Sequence, residues 1–225
     1  MITFQSALAS AVIHLRRGGL LIYPTETSYA IGCDVTNARS VAAIFRLKGR
    51  EHGKSLPIIV ASRAMAERYA KFTSVAQRLA RRHWPGPLTL VMEQKISPPP
   101  TGKGSERGWG MLAPGVVARD GTVALRVSSH PIVRALSRRL GRPIVATSAN
   151  RSGEPPAFSA RAALRALMPV ANVRRIPLLA IDPAPLFVQK WCGVDGGVLP
   201  RRKPSTIVDA RGVEPIIIRL GAVRL

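Results

Sequence analysis

Apolar positions alternate between helical and strand spacing along most of the 225 residues. Leu8, Val12 and Leu15 fall on one face of a helix predicted over 4–17. Arg16 and Arg17 sit at its end, where cations suit the dipole, and Gly18-Gly19 stops it. Leu20 to Tyr23 reads as a strand closed by Pro24, and Tyr29 to Cys33 as a second. Asn37 is the predicted N-cap of a helix carrying Val41, Ile44, Phe45 and Leu47 on its apolar side. Leu56 to Val60 follows as a buried strand. Ser62 caps a helix to about Lys71, Thr73 caps another to about His83, and Leu88 to Met92 is a strand after the rigid turn Trp84-Pro85-Gly86-Pro87.

Residues 94–121 are rich in Gly and Pro with little periodicity, and predict a long, mobile loop. Thr122 to Val127 is a strand with Arg126 near its exit. Ser129 and Pro131 open a helix to about Leu140, ended by Gly141. Residues 143–153 begin as an apolar run of strand type, pass into Thr147, Ser148 and Asn150, and end on Gly153, which is how α/β proteins present hydrogen-bonding groups to a ligand. Ser159 caps a helix to about Met168. The stretch between Val170 and Val198 reads as irregular, and Ser205 to Val208 and Pro215 to Leu220 as final β runs. Strands and helices intermingle without strict βαβ alternation. The expectation is one α/β domain over 1–225 with a mixed, twisted sheet, and not a Rossmann fold.

Charge changes this picture. The 34 Lys and Arg against 12 Asp and Glu leave a net charge of +22. A chain so far from neutrality calls for a polyanionic partner: RNA, DNA, a phosphate-rich substrate or an anionic surface. The cations gather as Arg78, Arg81 and Arg82; Arg134, Arg138 and Arg139; Arg174 and Arg175; and Arg201, Arg202 and Lys203. Each set alone reads as a solvated face, and their sum as an RNA-facing surface. Cys33 and Cys192 are isolated, so neither a zinc site nor a disulfide framework is expected, and a reducing cytoplasm fits. No apolar run approaches the ~20 residues of a membrane span.

Lys48-Gly49-Arg50 places cations where a helix meets a loop. Gly49 to Ser55 imitates a phosphate-binding loop, but it has three residues before its Gly-Lys pair and lies between helix and strand in the wrong order. His14, His83 and His130 read as structural, which leaves His52 as the histidine near a candidate site. No paired carboxylates stand at acid–base spacing; Glu26 and Asp34 are the acids near the first strands. The inventory is cations and hydroxyls, suited to an anionic substrate whose chemistry depends on positioning and charge neutralisation. ATP-dependent adenylation and plain nucleotide binding both fit.

Several separated motifs then match one family. Pro24-Thr25-Glu26-Thr27 with Tyr29 and Gly32, Lys48-Gly49-Arg50, Trp84-Pro85-Gly86-Pro87-Leu88-Thr89, Arg126-Val127, Thr147-Ser148-Ala149-Asn150 with Ser152-Gly153, Pro204 to Asp209, and Arg219-Leu220-Gly221 occur in the order found in YrdC-domain proteins. The chain resembles that family over residues 5 to 223, as a short form without the extra C-terminal domain of longer members. The resemblance implies a YrdC/RibB-like fold, a twisted mixed sheet flanked by helices around a deep cationic cavity. It implies synthesis of threonylcarbamoyl-AMP and pyrophosphate from L-threonine, bicarbonate and ATP. Other proteins then transfer the threonylcarbamoyl group to tRNAs reading codons that start with A, giving t6A.

The resemblance also implies roles. Lys48 and Arg50 are the expected catalytic cations. Lys48, His52, Thr122, Ser148, Asn150 and Arg219 are expected at the ATP, and Thr25, Arg126, Ala146 and Ser205 at the threonine, with Arg126 on its carboxylate. Magnesium is expected to accompany ATP through phosphates and water, with no ligands of its own from the protein. Pro156 stands where many members carry Ser or Thr. Two further readings share these residues: a YrdC-like RNA-binding protein without synthase activity, and a paralogue with different carbamoyl or nucleotide chemistry.

Overall fold

The computed structural model describes residues 4–50, 55–95, 111–167, 178–179 and 191–225. Eleven strands among them form two mixed sheets, where sequence reasoning expected one. The five-stranded sheet has the order β7-β2-β1-β9-β8, from Thr147–Ser148, Tyr29–Gly32, Leu20–Pro24, Trp191–Val194 and Leu178–Leu179. The six-stranded sheet runs β11-β10-β4-β5-β3-β6, from Ile216–Arg219, Thr206–Asp209, Leu88–Glu93, Thr122–Val127, Ile58–Val60 and Ile144–Val145. The irregular reading of 170–198 missed β8 and β9. Their runs are too short to show a period, although β9 pairs parallel with β1 in the sheet interior.

The two sheets are joined where the 143–153 stretch changes allegiance. β6 pairs antiparallel with β3 and β7 antiparallel with β2, so this single run belongs to both sheets. Ala146 is the crossing point, its N–H bonded to the Pro57 carbonyl at 2.8 Å. Tyr23 donates its phenol to the Val145 carbonyl at 2.6 Å. Gly32 leaves room for that carbonyl, since a Cβ there would lie 1.8 Å from the oxygen.

Among the described residues six helices cover the sheets: α1 (Phe4–Arg16), α2 (Ala38–Lys48), α3 (Arg63–Tyr69), α4 (Ser74–His83), α5 (Pro131–Leu140) and α6 (Ala160–Leu167). Asn37, Ser62 and Thr73 accept from the third following amide, the predicted N-caps, and Gly141 closes α5 in the left-handed region at φ 80°. The N-cap of α5 is His130 rather than Ser129, with Nδ1 accepting from the Ile132 amide. Because β1 is buried on both faces, Leu21 and Tyr23 pack toward α1 and α5, while Leu20 and Ile22 join the larger core. The described part of the predicted loop, 111–121, is packed: Ala113 and Val116 are buried and Leu56 donates to the Gly115 carbonyl at 2.8 Å. Residues 96–110 lie outside the described residues.

Candidate active site

One face of the six-stranded sheet is open. Along β4, Leu88, Leu90 and Met92 enter the core while Thr89 and Val91 face the opposite way. Along β5, Val123, Leu125 and Val127 enter the core while Ala124 and Arg126 face out. With Ser205 and Ile207 from β10 and its approach, these side chains line a cavity of about 610 Å³, within the range of small-molecule sites. The Thr25–Ser28 turn, Arg50, Ala146, Ser148 and Asn150 complete its walls. Its titratable lining is four arginines, Arg50, Arg126, Arg202 and Arg219, against one carboxylate, Glu154.

Lys48 lies at the C-terminal end of α2 and is 4% exposed. Its ammonium donates to the Ser148 carbonyl at 2.5 Å and the Asn150 carbonyl at 2.6 Å, bracing the segment that carries both side chains. Burial, then the nearby Arg50 charge, brings its pKa from 10.5 down to about 8. The Asn150 Nδ2 donates to the carbonyls of Arg151 and Glu154, at 3.0 and 2.6 Å, which leaves Oδ1 buried with no hydrogen-bond partner at the cavity wall. A buried acceptor of this kind calls for a donor on a ligand.

On the other side, Ser205 Oγ accepts from Thr89 Oγ1 at 3.0 Å and from Arg219 Nη2 at 3.1 Å. Arg219 also grips the Ser205 carbonyl, through Nε at 3.1 Å and Nη2 at 2.8 Å. Burial, then Arg126, lowers the Arg219 pKa, and burial lowers that of Arg50. Arg126 Nη1 lies 3.1 Å from Glu26 Oε1, with both side chains buried. The contact is an ion pair without hydrogen-bond alignment, since neither atom has a hydrogen-bond partner. Ser128 Oγ donates to Glu26 Oε2.

The profile of the Sua5_yciO_yrdC family, described as "Telomere recombination", matches residues 14–174. Threonylcarbamoyl-AMP synthase of Thiobacillus denitrificans is 36% identical over 203 residues, covering 87% of each chain. That of Chromohalobacter salexigens is 36% identical over 210 residues, covering 93% of this chain and 95% of the relative. The chain belongs to the Sua5/YciO/YrdC family. Among solved structures, P. abyssi Sua5 complexed with L-threonine aligns with a TM-score of 0.75 at 30% identity, covering 95% of this chain and 54% of that one. This chain therefore spans about half the length of that protein. E. coli YciO aligns with a TM-score of 0.71 at 25% identity, covering 96% of this chain and 90% of that one.

The residues expected from this Sua5/YciO/YrdC kinship fall into four groups. Arg50, Arg126, Ser148, Asn150, Ser205, Arg219, Thr25 and Ala146 all line the cavity. Of these, Thr25 spends its hydroxyl on its own turn, donating to the Ser28 carbonyl at 2.7 Å and accepting from the amides of Thr27 and Ser28. Lys48 stands behind the wall on the Ser148 and Asn150 carbonyls. Thr122 is not brought to the cavity. It opens β5, about 13 Å along the strand from Arg126, and its hydroxyl donates to Asp120 Oδ1 at 2.7 Å. His52 lies outside the described residues, as do Arg174 and Arg175. Sequence reasoning missed Thr89, Arg202 and the Glu26–Arg126 pair. A lone acid in the Pro24-Thr25-Glu26-Thr27 run, in a chain with 12 acids, was the available signal for the last.

Proposed function

We propose that this chain makes threonylcarbamoyl-AMP and pyrophosphate from L-threonine, bicarbonate and ATP. The observation that carries the reading is the charge of the cavity, four arginines against one carboxylate in about 610 Å³. The threonine amine and bicarbonate condense to a carbamate with loss of water. A carbamate oxygen then attacks the α-phosphorus, the bond to the bridging oxygen breaks, and pyrophosphate leaves. An anion attacking an anion needs fixed cations already in place, because reorganising them costs activation energy.

In this reading Arg126 takes the threonine carboxylate as a bidentate fork. Arg219 and Arg50 face the phosphates. Asn150 Oδ1 accepts from a nucleotide N–H or O–H, and Ser205, whose oxygen already accepts two hydrogen bonds, keeps its own proton to donate. Magnesium enters with ATP. When bound it neutralises charge on the phosphates, and a wall of arginines and hydroxyls fits its being held by phosphate oxygens and water. Among the described residues no cluster of three or more His, Cys, Asp or Glu offers a cage.

The same reading gives tRNA a place. Arg78, Arg81 and Arg82 on α4, Arg138 and Arg139 on α5, and Arg201, Arg202 and Lys203 are exposed. They supply a phosphate-binding exterior, and the adenylate passes to transferases that modify tRNA. Among the described residues, no helix is long and apolar enough to cross a membrane. The test is pyrophosphate release by purified protein with ATP, bicarbonate and magnesium. Release is expected on adding L-threonine, and release that ignores threonine contradicts the proposal. An RNA-binding protein without synthase activity would instead show salt-sensitive RNA binding unchanged by Lys48→Ala, with no threonine-dependent turnover.

A further inference from the structure

Glu26 is a carboxylate with a buried side chain that the proposed chemistry leaves unused, and it is held from three directions. It sits in the turn between β1 and β2, whose shape the Thr25 hydroxyl fixes through the Thr27 amide at 3.2 Å and the Ser28 amide at 3.3 Å. Its side chain crosses to the other sheet, where Arg126 lies one residue before the end of β5 and Ser128 follows the strand. Oε2 accepts from Ser128 Oγ, and that oxygen is itself fixed by accepting from the His130 amide at 3.1 Å. Oε1 is left 3.1 Å from Arg126 Nη1 in a contact too poorly aligned for a hydrogen bond. Arg–carboxylate pairs frequently use the guanidinium fork in two parallel bonds. Here the geometry leaves the fork incompletely used.

The charges point the same way. Arg219 lies close enough for Arg126 to depress its proton affinity, so a second guanidinium, on the solvent-exposed Arg219, adds to the positive charge beside the buried Glu26–Arg126 pair. Such a site is short of one negative charge until an anion enters. We propose that Glu26 is a positioning residue. Anchored by Ser128, it holds the Arg126 guanidinium at the cavity wall at a fixed angle, so that its unaligned N–H groups meet the carboxylate of the amino-acid substrate. The inference rests on the reading of this cavity as the threonine site. Glu26 touches no substrate, and it acts through Arg126.

The test is steady-state kinetics of Glu26→Gln, Glu26→Asp and Ser128→Ala, with thermal melting of each. Glu26→Gln is expected to raise the KM for L-threonine on the order of tenfold or more while the KM for ATP stays within about twofold. Glu26→Asp, which keeps the charge, recovers part of that loss. Ser128→Ala removes the Oε2 anchor without stranding a charge, and is expected to raise the threonine KM by a few-fold. If Glu26→Gln does not fold, Ser128→Ala decides. An unchanged threonine KM, or equal increases for threonine and ATP, overturns the inference. Should the wild type form no threonylcarbamoyl-AMP, the functional reading fails by itself, and calorimetric binding of L-threonine then judges Glu26. Binding lost in Glu26→Gln upholds the inference; binding unchanged, or absent from the wild type, overturns it.

Discussion

The Lys48 ammonium lies 2.5 Å from the carbonyl oxygen of Ser148, 100 residues further along the chain. Together with the 2.6 Å contact to Asn150 it gives a buried cation the task of holding two backbone acceptors in place. Lys48→Ala strands the Asn150 carbonyl, at about 1–3 kcal/mol for a buried acceptor left unsatisfied, and takes one of two donors from the Ser148 carbonyl, which keeps the Asn150 amide at 2.9 Å. It also frees the segment that presents Ser148 and Asn150 to the cavity. The expected result is loss of stability in thermal melting and a fall in adenylate formation on the order of 10²-fold or more. Lys48→Arg is not expected to restore activity, because a planar fork does not fit a slot built for a compact ammonium.

The same lysine gives the protein a pH dependence. With its pKa lowered to about 8 by burial and by Arg50, the folded state sheds this proton before the unfolded chain does. Between about 8 and the unfolded value near ~10.4 the unfolded state binds more protons, so this group adds stability as pH rises through that window. Below about 8 the cost of the buried charge is fully present. Melting curves from pH 7 to 10 should show the wild type gaining on Lys48→Met as pH rises. Binding of a triphosphate should weaken over the same range as the positive charge is lost.

Gly32 tests the seam between the sheets. Its substitution by Ala puts a Cβ against the Val145 carbonyl, which Tyr23 already engages. Backbone crowding of this kind cannot relax by a rotamer change. The expected cost is about 3 kcal/mol, a fall in Tm of roughly 6–12 °C for a chain of this size.

Arg219 is gripped on one edge by Ser205 and opens on the cavity. Arg219→Lys keeps the charge and loses the fork. Its kcat/KM for ATP should fall by about 10- to 100-fold, with the Tm close to wild type.

Much of this fold was legible because its signals are local. Asn37, Ser62 and Thr73 cap helices by accepting an amide three residues on, and Gly141 ends α5 by its own backbone freedom. β5 shows its register in the alternation of Val123, Leu125 and Val127 with Ala124 and Arg126. The division into two sheets was not legible. Residues 144–148 read as one strand, and only the long-range pairing of β6 with β3 and of β7 with β2 divides them at Ala146. Thr122 shares a strand face with Arg126 but lies too far along it to line the cavity, and Asp120 captures its hydroxyl. The Glu26–Arg126 pair escaped notice for the opposite reason. Its partners are remote in sequence and meet where the two sheets face each other across the cavity.

The central claim is that the cationic cavity joins threonine, bicarbonate and ATP. Mass spectrometry of the products formed from these three with magnesium tests it most directly, comparing the wild type with Lys48→Ala. Threonylcarbamoyl-AMP from the wild type, and little or none from the variant, is the predicted result. Its absence from the wild-type reaction, or equal amounts from both proteins, would contradict the account.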